Sequence, residues 1–322
     1  MKTVGIMGGT GITAGELIDL VLRHPQIKLK WVYSSSRADT FITDVHTQLI
    51  GRTELKFAGE IDNNIDILFL CLGHGHSKTC LDENEFDDNV LVIDLSHEFR
   101  LSGKTEYHSR NFVYGLPELN SKDMATANSI ANPGCFATGI QLALLPLSEN
   151  NLLNDDVHVH SITGSTGAGI RPQPTTHFSW RNNNISWYKP FVHQHLGEIR
   201  RHINLSNKAQ MHMLPLRGDF TRGIFTTCYL KSDLSENEAY HLYDTFYQPH
   251  PFTHLSKNQL HLKQVVNTNN CVIHLHKHEQ TLLITSVLDN LLKGAASQAI
   301  ENLNLMLQID QTIGLHLKPS VY

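Results

Sequence analysis

Three kinds of residue in this 322-residue chain could carry covalent chemistry: a cysteine after a Pro-Gly break, a histidine three residues before a glutamate, and arginines at loop ends. The cysteine lies in Asn132-Pro133-Gly134-Cys135-Phe136-Ala137-Thr138. Pro133 and Gly134 interrupt what precedes them, and Thr138, Gln141, Leu142, Leu144 and Leu145 then recur at helical spacing. Cys135 is thus expected at a helix start, where the positive end of the macrodipole favours thiolate over thiol and makes a nucleophile. A buried structural cysteine is the competing expectation. In His193-Gln194-His195-Leu196-Gly197-Glu198-Ile199, helical structure over 195–203 would put His195 and Glu198 on one face. A carboxylate beside an imidazole fixes its tautomer and stabilises imidazolium, the acid/base partner that a cysteine nucleophile needs. Arg100 follows a strand, and Arg217 and Arg222 flank a loop entering another. Guanidinium groups there suit phosphate or carboxylate.

The elements that must position these residues change character along the chain. Val4–Met7, Leu29–Tyr33, Ile65–Leu72 and Val90–Leu95 are continuous apolar runs, as in parallel strands buried on both faces. They alternate with helical segments to about residue 130, which predicts a Rossmann-type, doubly wound parallel α/β sheet. Beyond Cys135, Val157–Ile162, Gly223–Leu230 and Cys271–His276 alternate apolar and polar residues, so an α+β domain with a largely antiparallel sheet is expected. Two domains follow, 1–134 and 135–293, with the amphipathic helix starting at Gly294 and the rest of 294–322 returning to the first.

The turn Gly8-Gly9-Thr10-Gly11-Ile12-Thr13-Ala14 directly follows the first strand and opens a helix. Glycines let the backbone turn tightly and admit a pyrophosphate to the helix N-terminus. Gly8, Thr10, Gly11, Ile12 and Thr13 are therefore candidate cofactor contacts. After the second strand comes Tyr33-Ser34-Ser35-Ser36-Arg37, with no acid until Asp39. Hydroxyls and a cation suit a 2′-phosphate, so NADP is expected, held in part by Ser35 and Arg37.

Bulk composition excludes several classes. Hydrophobic residues make up 40% and charged residues 18%, with a net charge of −5 and no Lys/Arg run, which argues against nucleic acid as a partner. No stretch of eighteen apolar residues exists to span a membrane. The start reads straight into a strand, and five widely spaced cysteines lack a CxxC pair, so a reducing cytoplasm is expected. The 21 histidines include alternating sets at 274/276/278, 74/76 and 158/160. Without HExxH or a Cys/His array they are expected to be solvated or hydrogen-bonded strand residues, with no metal.

In order and spacing, the motifs resemble the N-acyl-γ-glutamyl-phosphate reductase family, relatives of aspartate-semialdehyde dehydrogenase, nearly end to end. The segments concerned are Gly8 to Leu17, Asp94-Leu95-Ser96 with Phe99-Arg100-Leu101, and Tyr114-Gly115-Leu116-Pro117-Glu118. They continue through Asn132-Pro133-Gly134-Cys135, His193-Gln194-His195 with Glu198-Ile199, His212 with Pro215, Thr221-Arg222-Gly223-Ile224 and Asp289 to Ala295. Phe136 stands where the family usually has Tyr, and Gln194 where it has Arg. The Leu214 to Arg222 segment is longer than the family pattern, which leaves the phosphate-binding arginine between 217 and 222, with Arg222 favoured.

The resemblance implies NADPH-dependent reduction of an N-acyl-γ-glutamyl phosphate to the semialdehyde in arginine biosynthesis. Cys135 would form a thioester and His195, with Glu198, would protonate the oxyanion as Cys135 leaves. It further implies Gly73 and Asn290 near the nicotinamide, substrate contacts from Arg100, Asn132, Ser165, His212 and Arg222, and a homodimer or homotetramer. An N-acetyl group is the expected acyl group, with N-succinyl as the alternative on the same chemistry, and Ser165, Arg171 and the 171–187 loop are the place to discriminate them. Aspartate-semialdehyde dehydrogenase, a cofactor-free cysteine hydrolase and a non-catalytic NADP-binding sensor are the alternatives.

Overall fold

The computed structural model describes every residue except His74, Ser102 and Tyr322. The chain divides into two compact units, Met1–Pro133 with Ala295–His316, and Gly134–Gly294 with the segment from Leu317 on. Gly134 and Gly294, expected in the first domain, fall in the second unit, as does the segment from Leu317, where Ser320 donates its N–H to the Val266 carbonyl at 3.1 Å.

The first unit is built on strands β1 (Lys2–Met7), β2 (Ile27–Tyr33), β3 (Ile67–Leu70), β4 (Leu91–Asp94), β5 (Glu106–Tyr107), β6 (Arg110–Tyr114) and β7 (Ser129–Ala131). They form one sheet in the order β2-β1-β3-β4-β7-β6-β5, parallel except for β5 on β6. The central strands are apolar on both faces, as the continuous runs require; every residue of β3 is buried. Helices α1 (Ile12–Arg23), α2 (Ser77–Glu83) and α3 (Pro117–Met124) lie between these strands. Chain order reverses at β1, with β2 on one side and β3 on the other, so the turn after β1 opens at a topological switch point.

The second unit carries β8 (Val157–Thr163), β9 (Ser186–Trp187), β10 (Met211–Arg217), β11 (Ile224–Lys231), β12 (Thr253–Leu255), β13 (Cys271–His278) and β14 (Thr281–Leu288) in the order β12-β13-β14-β11-β8-β10-β9. Pairing is antiparallel except for β8 with β10 and β12 with β13. Alternating burial in β8, β10, β11 and β13 gives the sheet one covered face. Helix α4 (Cys135–Glu149) packs on β11, β13 and β14; α5 (Phe178–Arg181) precedes β9, and α6 (Leu196–His202) and α7 (Glu236–Tyr247) also flank α4 or the sheet. The final helix, α8 (Ala296–Met306), packs against α1 and α3 of the first unit.

Helix α4 is buried along nearly its whole length and contains Pro146. Proline has no N–H to give the carbonyl four residues earlier, that of Leu142. The hydroxyl of Tyr247 on α7 donates to that carbonyl, and Tyr243 donates to the next one, Ala143, at 2.6 Å. Tyr247→Phe is therefore expected to strand a buried acceptor and lower the unfolding free energy by about 1–3 kcal/mol, measured by urea denaturation. In a Pro146→Ala background the same change should cost less, since the backbone N–H is restored.

Candidate active site

Cys135 is the first residue of α4, and its N-cap, Gly134, is extended and has no side chain of its own to cap the helix. Its thiol is part-exposed, whereas Cys80 and Cys228 are buried and burial pushes their thiols up, Cys80 to about 12. Of the five thiols, this one combines access with a helix N-terminus, the microenvironment of a reactive cysteine.

His195 is the N-cap of α6, and Glu198 is in that helix's first turn. Their side chains are 10% and 3% exposed, and His195 Nε2 lies 3.8 Å from Glu198 Oε1, an ion-pair distance once the ring is protonated. The other carboxylate oxygen accepts the Gly134 N–H at 3.1 Å. A Cβ on residue 134 would stand 2.5 Å from His195 Nε2 and 2.6 Å from Glu198 Oε1. Glycine there lets imidazole and carboxylate close on the backbone that carries the thiol, which brings together the three residues expected to do the chemistry.

His193 forms the wall behind His195. Their rings meet edge-on at 4.8 Å, and His193 also contacts Phe136 at 5.2 Å and Tyr188 at 5.6 Å. Burial, then the His195 charge, hold His193 down to about 3. Tyr188 was not among the expected site residues. It continues the β9 edge, giving its N–H to the Pro215 carbonyl at 3.0 Å, and the guanidinium of Arg217 lies 4.0 Å above its ring. Burial and then the neighbouring Cys135 charge push its phenol up. No local signal in the sequence pointed to it, because its partners are distant along the chain.

The arginines fall into two sets. Arg222 donates from Nε to Asp289 at 3.1 Å, and fully buried Asp289 also receives the N–H groups of Asn267, Leu291 and Leu292. The neighbouring Asn290 accepts the Gly223 N–H at 2.6 Å and donates to Thr166 at 3.0 Å. The Asp289-Asn290 pair thus clamps the 217–223 loop, and the Asn290 amide also ties in Thr166. Ser165 opens a 3₁₀ turn on the same framework, its N–H donating to the Phe220 carbonyl at 2.9 Å. His212 is not gathered here. It lies on the opposite pleat of β10 from buried Met211 and Met213, bonded to Asp156 at 3.1 Å and stacked on His158 at 5.1 Å.

In the first unit the turn after β1 has the form a pyrophosphate needs. Gly8 has φ +77°, and a side chain there would meet the Cys71 carbonyl oxygen at 2.6 Å. Gly11 caps α1 without any side-chain cap, and a Cβ at Gly11 would have nothing nearer than 3.9 Å. Thr10, Ile12 and Thr13 complete this open helix end. Ser35–Arg37 is a 3₁₀ turn following β2, with Arg37 exposed, and Gly73 lies just past β3, the strand beside β1. These residues fit a nucleotide that carries a 2′-phosphate.

Arg100 and Asn132 act as braces. Buried Arg100 donates from Nε to the Asn132 carbonyl at 2.8 Å and from Nη2 to the Leu95 carbonyl at 2.9 Å. The Asn132 amide donates to Ala295 and accepts from Asn302 at 2.8 Å. Asp94 of the same motif receives the hydroxyls of Ser77 and Ser96 at 2.7 Å each. Among the described residues no three His, Cys, Asp or Glu side chains converge as a metal site, and His74 lies outside the described residues. No described helix is long and apolar enough to cross a membrane.

Two family models match the chain: "Semialdehyde dehydrogenase, NAD binding domain" over residues 3–127 and "Semialdehyde dehydrogenase, dimerisation domain" over 135–290. The N-acetyl-gamma-glutamyl-phosphate reductase of Parabacteroides distasonis is 50% identical over the full length of both chains. That of Flavobacterium johnsoniae is 49% identical over 99% of both. Among solved structures, aspartate semialdehyde dehydrogenase of Candida albicans, described with NADP, aligns with TM-score 0.71 at 13% identity, covering 97% of this chain and 99% of that one. The Vibrio cholerae enzyme complexed with ASA aligns at 0.67 and 15% identity over 96% and 98%. At such identities these structures share the fold.

The low-lying histidines set an acid limit on stability. His202 is held down to about 4, by burial and then the Arg201 charge. Below about pH 6.5 the unfolded chain protonates His193 and His202 while the folded chain does not, so stability falls as pH falls from 6.5 toward 4. Each histidine contributes at most about 1.4 kcal/mol per pH unit in that window. In urea unfolding from pH 7.5 to 5.0, His193→Gln should reduce the proton uptake on unfolding by about one. An unchanged pH slope would contradict this.

Proposed function

The chain belongs to the N-acetyl-gamma-glutamyl-phosphate reductases, within the semialdehyde dehydrogenases, and from that membership we propose that it reduces an N-acyl-γ-glutamyl phosphate to the 5-semialdehyde, the arginine-biosynthetic reaction, through a thioester on Cys135. The observation that carries the residue assignment is the closure of His195 and Glu198 on Gly134, beside the thiol at the α4 N-terminus.

The thiolate attacks the acyl carbon, and the C–O bond to phosphate breaks with release of inorganic phosphate. Gly8, Thr10, Gly11, Ile12, Thr13, Ser35 and Arg37 would hold NADPH, which supplies the hydride that reduces the thioester. His195 as imidazolium gives its proton to the oxyanion left by hydride addition and takes it back as the C=O bond re-forms and the C–S bond breaks, which regenerates the thiolate and frees the aldehyde. Glu198 holds the ring charged and in place through that proton transfer. The other family activities lose ground to this arrangement: a cofactor-free hydrolase has no use for the open α1 turn, and a sensor has none for the Cys135–His195 pair.

A second copy of the chain is the partner assigned to the second unit. Trp187, Phe191 and Val192 are exposed there at 63%, 56% and 75%, more apolar surface than a solvated loop usually presents. Five free cysteines accord with a reducing cytoplasm.

The test is phosphate-dependent reduction of NADP by N-acetylglutamate 5-semialdehyde. Cys135→Ala should abolish turnover, and His195→Asn should lower kcat by about 10²–10⁴-fold. Absence of activity in the unsubstituted protein with any N-acylglutamate semialdehyde, or an active Cys135→Ala, would overturn the proposal.

A further inference from the structure

Arg181 and Arg217 form a cationic pair whose construction the reaction steps above leave unused. The carbonyl of Thr163 at the end of β8 receives two donors, the Gly218 N–H at 2.9 Å and Arg181 Nη2 at 3.0 Å. Arg217 is directly opposite Thr163 in the β8–β10 register and opposite Ser186 in the β9–β10 register. Arg181 is thereby tied to the backbone position paired with Arg217, and the two charges are near enough to act on one another. Arg217 stacks on Tyr188, whose phenol feels the Cys135 charge. Arg181 is 7% exposed, and its Nε is buried with no hydrogen-bond partner.

Neither guanidinium has a carboxylate within ion-pair distance among the described residues. Asp219, the acid whose charge reaches Arg181, instead accepts the Asn183 N–H at 2.7 Å. Arg222, by contrast, is balanced by Asp289. Two like charges brought together with a buried, unspent N–H lie ready for an anion, because a planar carboxylate satisfies both forks at once. Arg217 belongs to the Leu214–Arg222 segment that is longer than the family pattern, and Arg181 to the 171–187 loop.

We propose that Arg181 and Arg217, with Tyr188 as the platform beneath Arg217, bind a carboxylate of the substrate distinct from its acyl phosphate. This deepens the reductase reading and rests on it for the identity of the ligand. Two sources share that chemistry: the α-carboxylate of the glutamyl moiety, and the terminal carboxylate of a dicarboxylic N-acyl group. With the α-carboxylate, the pair fixes the orientation of every N-acylglutamyl substrate. With the acyl carboxylate, the pair selects a dicarboxylic over a monocarboxylic acyl group.

Calorimetric binding of N-acetylglutamate and N-succinylglutamate to the full chain, compared with Arg217→Gln and Arg217→Lys, tests the pair without relying on turnover. An α-carboxylate site predicts that Arg217→Gln weakens both ligands about equally, by ten-fold or more, with partial recovery in Arg217→Lys. An acyl-carboxylate site predicts that N-succinylglutamate binds at least ten-fold tighter than N-acetylglutamate and that Arg217→Gln removes this preference. Unchanged binding of both ligands in Arg217→Gln, with NADP binding intact, would overturn the proposal. In parallel kinetics, Arg217→Gln should raise KM for the semialdehyde and leave KM for inorganic phosphate unchanged. A rise confined to phosphate would overturn the carboxylate assignment in favour of the leaving group. Loss of turnover in the unsubstituted protein, with the ligand-binding pattern preserved, would strike the reductase reading alone.

Discussion

A single buried carboxylate joins the two helix starts on which the proposed chemistry of the second unit rests. Glu198 takes the Gly134 N–H with one oxygen and faces the His195 ring with the other, so the start of α4 and the start of α6 share one anion. That carboxylate lies between the positive end of the α4 dipole and the ring that the proposed reaction protonates. The arrangement closes only because residue 134 lacks a side chain. A carboxamide in place of Glu198 would keep the shape and lose the charge that steadies His195.

Around this centre, buried polar groups are satisfied by loops and neighbouring helices. Pro146 would leave α4 with a carbonyl lacking its partner, and Tyr247 answers it from α7. Asp289 and Asn290 fix the 217–223 loop by accepting its N–H and guanidinium donors, so the loop's remaining cation, Arg217, is held without neutralisation. The first unit shows the same economy: Arg100 and Asn302 spend their donors on Asn132 and its neighbours. Several polar residues in the family motifs therefore hold backbone, as their hydrogen bonds show.

What the sequence disclosed follows from how local each signal is. The apolar runs at β3 and β4, the glycine turn after β1 and the Pro-Gly break before Cys135 are encoded within a few residues, and each was legible. His195 and Glu198 were legible as an i, i+3 pair, although their common seat on Gly134 lies over sixty residues away and could not be read. That Arg100, Asn132 and Asn290 bond to backbone and His212 to Asp156 could not be read in advance, because side-chain amides, cations and imidazoles look alike in a sequence whatever they bond to. Arg181 and Tyr188 escaped notice because their significance lies in nonlocal partners, Thr163, Arg217 and Cys135. The parallel pairing of β8 with β10 was hidden for a similar reason, since alternation along a strand reports its faces and leaves its neighbour's direction unstated.

The central claim is that Cys135 carries the acyl group. Mixing the protein with NADP and N-acylglutamate 5-semialdehyde in the absence of phosphate isolates that step, because the acyl-enzyme then has no natural acceptor. The account predicts a burst of about one NADPH per chain and, after rapid acid quench, a Cys135-containing peptide heavier by the N-acylglutamyl group. A burst with the added mass on any other residue, or steady NADPH formation without phosphate and without an acylated peptide, would contradict it.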